Sequence, residues 1–234
     1  MVGLDSALRR LTRDVGKLLQ PYGFHGSDAR WVRVAAGGVA SVGRGRVQRS
    51  WTDGQQEVRF GLEVRATPTA WWEFGNWCHE RAGRAHTMLA DATGPGLVDA
   101  RSIPAEFTEP WSLPVDPAVD GQQVRPSDIE ALRADLPRRV HVYARRALRL
   151  LEPDRYLDEL LADPEPGWRT WEAIVVLLAE HGPDDRLDAA LDRLRACLPA
   201  AEDAGGPANV FAYVRDRPAV ASMPLSPSPC DLTR

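Results

Sequence analysis

The densest run of side chains able to do chemistry is Trp-Cys-His-Glu-Arg-Ala-Gly-Arg-Ala-His, residues 77–86. Cysteine, histidine and glutamate in close order could hold a transition metal or move protons. The spacing argues against a shared ion. A zinc-protease helix carries two histidines four residues apart around a glutamate, whereas His79 and His86 are seven apart. On a helix that is about 10.5 Å of axial rise, against metal bonds of about 2 Å. Cys78 falls on an apolar stripe, where a buried free thiol is common, and Glu80 with Arg84 fits an ordinary i,i+4 ion pair. The cluster therefore reads as structural, and neither a metal nor a cofactor is expected. Asp184, Asp185, Asp188 and Asp192 suit a solvated helix face and N-caps, and His25, His141 and His181 are isolated. No glycine-rich phosphate loop stands between a strand and a helix, and no GxSxG nucleophile elbow occurs.

A second candidate is the stretch VGRGRVQRSWTDGQQEVRFGLEV, residues 42–64. Asp53-Gly54 is a two-residue hairpin signal, because a type I′ turn needs positive φ at both central positions. That turn places Val47 opposite Phe60, Gly45 opposite Leu62 and Gly43 opposite Val64 on an apolar face. On the other face Ser50 meets Glu57, Gln48 meets Arg59, Arg46 meets Gly61 and Arg44 meets Glu63. A slip of one residue would destroy the agreement. Arg44, Arg46, Gln48 and Arg59 then form a basic surface able to hold carboxylate or phosphate groups. Glu63 would neutralise Arg44, while Arg46 and Arg59 have no acid directly opposite. The competing reading is a solvated face, or one packed on acidic helices. Trp51 falls on the Val47 face, so the interleaved aromatics of single-strand nucleic-acid binders are not evident.

The elements that must position these residues follow from periodicity. Leu4, Leu8, Leu11, Val15 and Leu18 predict an amphipathic helix over 4–19, ended by Pro21 and Gly23. Residues 30–34 read as a strand, Gly37-Gly38 as a turn, and Val39 opens a second strand. Trp71, Phe74, Cys78, Ala82, Ala85 and Leu89 predict one helix running to the TGPG break at 93–96. The proline-rich stretch 97–126 holds two short possible strands, 97–103 and 111–113. Ser127 and Glu130 have capping-box spacing before a helix to about Leu151, which Pro137 should kink or split. Asp154 can cap a short helix through Leu161. Trp168–His181 and Asp185–Leu198 read as a helical hairpin. Beyond Pro199 only Asn209–Asp216 interrupts a Gly/Pro/Ala/Ser-rich stretch. The expected fold is α+β: a small, mainly antiparallel sheet with an N-terminal helix, followed by a C-terminal helical region. The expected organisation is a single domain over 1–200, its sheet part at 1–125 and its helical part at 126–200, with a flexible tail at 201–234.

The chain of 234 residues suits such a domain. Its three cysteines, Cys78, Cys197 and Cys230, are dispersed and suggest no disulfide framework, so a cytoplasmic location is expected. No signal peptide and no membrane-spanning run is read. Lys17 is the only lysine; the arginine, alanine, glycine and proline content suggests a GC-rich genome, which weakens any single arginine as a functional marker. The net charge of −4 is uneven: residues 1–70 carry eleven Lys/Arg against six Asp/Glu, and residues 71–234 carry eighteen against twenty-seven. The basic part either meets an anionic partner or packs on the acidic part.

An N-terminal helix leading into LLQPYGFHGSDARWVRV, a strand with the Gln-x-Ser element VQRS, the alternating strand VRFGLEV and the later PWSLP segment follow in that order. This order resembles the bacterial domain-of-unknown-function family 4304, over roughly residues 4–115. The resemblance implies an α+β fold. It carries over no catalytic residue and no cofactor; Gln48 and Ser50 match the Gln-x-Ser element. The Arg/Gly-rich strand and Trp71-Trp72 depart from the family pattern. With no coherent catalytic constellation in view, the leading expectation is a non-catalytic protein-binding module that uses the sheet face or the helical region. The alternatives are a nucleic-acid-binding protein that uses the basic strand, and an enzyme whose site is assembled from residues distant in sequence.

Overall fold

The computed structural model describes residues 2–27, 29–52, 55–115, 122–198 and 205–217. The chain is α+β and divides into two compact units, residues 1–166 and 167–234.

In the first unit the order is β1 (Val2–Gly3), α1 (Leu4–Leu19), β2 (His25–Ser27), β3 (Arg30–Ala35), β4 (Gly38–Arg44), β5 (Gln48–Thr52), β6 (Gln55–Phe60) and β7 (Leu62–Pro68). Then come α2 (Thr69–Arg81), α3 (Ala105–Thr108), β8 (Trp111–Val115), β9 (Gln123–Val124), α4 (Pro126–Arg149) and α5 (Arg155–Leu161). All strand pairs are antiparallel and form three sheets, β2-β3-β4-β7, β5-β6-β8 and β1-β9.

α1 forms where the period predicts. Leu4, Leu8, Leu11, Val15 and Leu19 are buried, each worth about 1.5–3 kcal/mol of burial. Gly23, at φ 75°, turns the chain into β2. The helix packs on α4 and on Trp31 of β3. Gly16 permits the second contact, since a Cβ there would lie 2.7 Å from Trp31 Nε1.

The expected long hairpin breaks in two. β5 and β6 keep the predicted register, with Gln48 opposite Arg59, Ser50 opposite Glu57 and Thr52 opposite Gln55; Asp53 and Gly54 lie outside the described residues. β4 and β7 pair one residue out of that register: Gly43 faces Glu63 and Arg44 faces Leu62, not Val64 and Glu63. The slip is absorbed at Gly45–Val47, which belong to no strand. Gly45 N–H donates to the Gly61 carbonyl at 2.8 Å, and Arg44 N–H to the Ala29 carbonyl at 2.8 Å. Glycines at 43, 45 and 61 let the backbone bend and approach closely here; a Cβ on Gly43 would fall 2.4 Å from the Ala29 carbonyl oxygen. Val47 is half-buried in this step, and Phe60 pairs with Trp111 of β8 instead.

Four other expectations change. α2 stops at Arg81, well short of Leu89, in a Schellman motif: Gly83 sits at φ 65°, its N–H bonds Glu80 C=O, and Arg84 N–H bonds His79 C=O. Residues 97–103 form turns, not a strand. α4 starts on Pro126 without a capping box, because Ser127 Oγ donates to the Asp128 carboxylate. It runs unbroken through Pro137, held on both sides by the buried Leu132, Leu136, Val140 and Tyr143.

The turns at 97–103 cover the outer edge of β7. Arg146 on α4, 6% exposed, donates to both oxygens of Glu159 on α5 (2.7 and 2.6 Å) and to the carbonyls of Val98 (2.6 Å) and Asp99 (3.0 Å). Asp99 Oδ1 accepts from Ala66 N–H at 3.2 Å. These bonds cap an edge strand that would otherwise present unpaired amides. Burial pushes the Asp99 carboxyl up to about 6, although the Ala66 N–H, Arg146 and Arg65 act against it. For Glu159, burial alone would raise the acid, but the Arg146 hydrogen bonds and charge outweigh it and hold Glu159 below the usual range.

The second unit contains α6 (Trp168–Leu178), α7 (Asp185–Cys197) and α8 (Gly205–Asp216). Asp184 caps α7, its Oδ1 accepting from Leu187 N–H at 2.7 Å. α8 packs on α6 and takes up part of the segment expected to be a flexible tail; residues 218–234 lie outside the described residues. Among the described residues no helix is long and apolar enough to cross a membrane.

Candidate anion-binding groove

α1 carries a second stripe beside its buried one. Arg9, Arg13 and Lys17 recur at i, i+4 and i+8, about 6 Å apart along the axis. The opposite wall is β2 with His25, Gly26 and Ser27, the floor includes Trp31 and Phe24, and Arg44 closes one end. The groove is open to solvent and has a volume of about 740 Å³. Four cations and one imidazole thus border a single concavity, and among the described residues none of those lining it is acidic.

Arg44 reaches this groove because of the register slip. Its cross-strand partner is Leu62, on the face that carries Val42 and Trp31 and receives α1. The pair expected with Glu63 does not form; Glu63 binds Arg65 at 3.1 Å instead. Among the other three predicted residues, Gln48 and Arg59 lie on the three-stranded sheet and Arg46 in the irregular step before it, and none of them lines the groove. Arg46 is exposed in the irregular step, and Gln48 is exposed at the start of β5 opposite Arg59. Arg59 has a carboxylate after all, two residues earlier on its own strand: its Nε and Nη2 lie 3.2 and 3.0 Å from Glu57 Oε2. Arg44 therefore lies in a different sheet from Gln48 and Arg59, which stay paired as expected.

Several arginines near the groove are paired with carboxylates. Arg133 pairs with Asp14 at 2.9 Å, Arg138 with Glu106 at 2.6 Å, Arg139 with Asp135 at 2.6 Å and Arg101 with Asp163 at 2.9 Å. In contrast, Arg13 and Arg44 have no ion pair among the described residues, and Arg9 bonds only the Asp5 backbone carbonyl, at 3.3 Å. Asp14 is the acid closest to the stripe along the helix. It is turned toward α4 by Arg133, leaving Lys17 Nζ at 3.9 Å with Lys17 69% exposed.

His79 and Glu80 lie on α2, whereas His86 lies beyond its end. Among the described residues no three His, Cys, Asp or Glu side chains converge as metal ligands. The basic stripe of α1 was present in the sequence as an i, i+4, i+8 repeat of like charges. Its meeting with Arg44, His25 and Trp31 has no local sequence signal. No family model, no curated protein and no solved structure matches this chain.

Proposed function

We propose that this protein is a non-catalytic binding module that takes an acidic segment of a partner protein into the groove between α1 and the four-stranded sheet. The observation that carries this reading is the set of cations Arg9, Arg13, Lys17 and Arg44 around one concavity whose described lining includes no acid; of the four, Lys17 has a carboxylate in reach, Asp14 at 3.9 Å. Like charges at i,i+4 cost an isolated helix a few tenths of a kcal/mol per pair, so the repeat on α1 is unfavourable for the free fold. An acidic ligand reverses the sign, because charge-assisted hydrogen bonds contribute about 1.5–3 kcal/mol each. The protein reading is favoured over the nucleic-acid one by the aromatics. Within the groove Trp31 and Phe24 are buried and offer no exposed ring for a base to stack on; Trp51, expected on the apolar face, is instead 65% exposed on β5 and does not line the groove.

The test is fluorescence anisotropy of a labelled Asp/Glu-rich peptide with the whole chain. Replacing Arg9, Arg13 and Arg44 together by Gln should weaken binding by well over tenfold, while Arg46→Gln with Arg59→Gln should leave it unchanged. Added salt should erase the difference, since the screening length falls to about 3 Å at 1 M. Equal binding by both variants would overturn the proposal.

A further inference from the structure

We infer that the floor of the groove seats a phosphoryl group, so that the ligand is a phosphorylated segment of a partner protein; this rests on the reading of the groove as a site for acidic segments. Trp31 as a whole is 5% exposed, and its indole N–H donates no hydrogen bond among the described residues. The nitrogen is not itself sealed from solvent, so this donor is free to meet a ligand in the groove that Trp31 lines. The indole edge lies directly under Gly16, in the middle of the basic stripe, where a Cβ would come within 2.7 Å of Nε1 and within 3.1 Å of Cζ2. Glycine is a poor residue for a helix interior; at this position it brings the indole donor against α1 and keeps it at the groove.

The donors around that point suit a phosphoryl group better than a carboxylate. Arg13 and Lys17 flank Gly16 on α1, Arg44 approaches from β4, and His25 stands on β2. One carboxylate brings a single negative charge and two oxygens. A phosphorylated serine or threonine brings about −1.5 to −2 charges and three acceptor oxygens. It can therefore accept from Trp31 Nε1 while its other oxygens meet the guanidinium and ammonium groups. The flanking acids of the segment are left to the outlying Arg9.

The experiment compares labelled acidic peptides of one sequence whose central residue is phosphoserine, glutamate or serine, with inorganic phosphate as competitor. The phosphoserine peptide should bind about tenfold or more tightly than the glutamate peptide. Trp31→Phe keeps the ring and removes the donor, and should abolish that preference while residual binding of the glutamate peptide persists. Gly16→Ala should do the same by displacing the indole; Trp31→Phe carries the test if Gly16→Ala fails to fold. Equal affinity for the phosphoserine and glutamate peptides would remove the phosphoryl seat and leave the acidic-segment reading standing. No binding of either peptide would overturn both. Full preference retained by Trp31→Phe would overturn the role of the indole, and inorganic phosphate binding as tightly as the phosphopeptide would make this a small-anion site instead.

Discussion

Asp99→Asn should stabilise the protein at neutral pH and lose that advantage in acid. Asp99 is the carboxylate that ties residues 97–103 to β7, through Ala66 N–H, and burial raises its pKa from 3.8 to about 6. The folded state therefore holds this proton more tightly than the unfolded chain. Between the two values folding takes up a proton, so the contribution of this group grows as pH falls from about 6 toward 3.8. Above pH 6 the carboxylate is ionised in a poorly solvated place, and the fold carries a penalty. A gap of about two pH units corresponds to roughly 3 kcal/mol, an upper figure because the group is only partly removed from water. Asparagine keeps an oxygen that accepts from Ala66 N–H and cannot ionise. Urea unfolding at a series of pH values should show the variant more stable by about 1–3 kcal/mol near pH 7.5. The gap should close to within about 0.5 kcal/mol near pH 4. Taking the difference between the two proteins cancels acids such as Asp163, held low by its hydrogen bond to Arg101, whose contribution runs the other way. A difference independent of pH, or a less stable variant at neutral pH, would refute the argument.

Arg146→Met should cost about 3–5 kcal/mol in urea unfolding, because it leaves Glu159 buried with only Arg155 at 3.2 Å and frees the Val98 and Asp99 carbonyls. Pairing it with Glu159→Leu should recover much of that loss, since the unmatched buried charge is then gone. Arg59→Gln removes an exposed contact to Glu57 and should change stability by less than about 1 kcal/mol, read from the same titration. Gly83→Ala should cost about 1 kcal/mol through backbone strain alone, since its φ is 65° and nothing lies within 4 Å of the added carbon. A thermal melt unchanged from wild type would mean that the end of α2 carries no strain there.

The parts of this fold that could be read from sequence are those whose information is local. α1 announces itself by a 3.6-residue apolar period with Pro21 and Gly23 after it, and the β5–β6 register by a turn two residues from its first pair. The end of α2 was hidden because Ala82 and Ala85 continue a stripe with side chains too small to carry periodic information, while the decisive residue, Gly83, looks like a tolerated interruption. The β4–β7 register was hidden for a different reason. A ladder extrapolated from one turn has no way to register a three-residue step, and Gly43, Gly45 and Gly61 make the step possible without requiring it.

That step decides the site. In the extrapolated ladder Arg44 sits on the outer face beside Glu63, neutralised and part of a sheet surface with Arg46, Gln48 and Arg59. One residue of slip turns it to the face that carries Val42 and Trp31, beneath α1, and gives Glu63 to Arg65. Arg44 thereby joins Arg9, Arg13 and Lys17 across the groove, while Arg59 closes on Glu57. In a chain rich in arginine the residue type says little. Convergence on one concavity says more, because arginines with no ion pair among the described residues, such as Arg30, Arg46 and Arg49, also occur away from it. Asp14 shows how the acids on α1 are shared: of its two oxygens, one is 2.9 Å from Arg133 and the other 3.9 Å from Lys17, so it joins α1 to α4 and reaches one end of the basic stripe, while Arg9 and Arg13 have no carboxylate partner among the described residues.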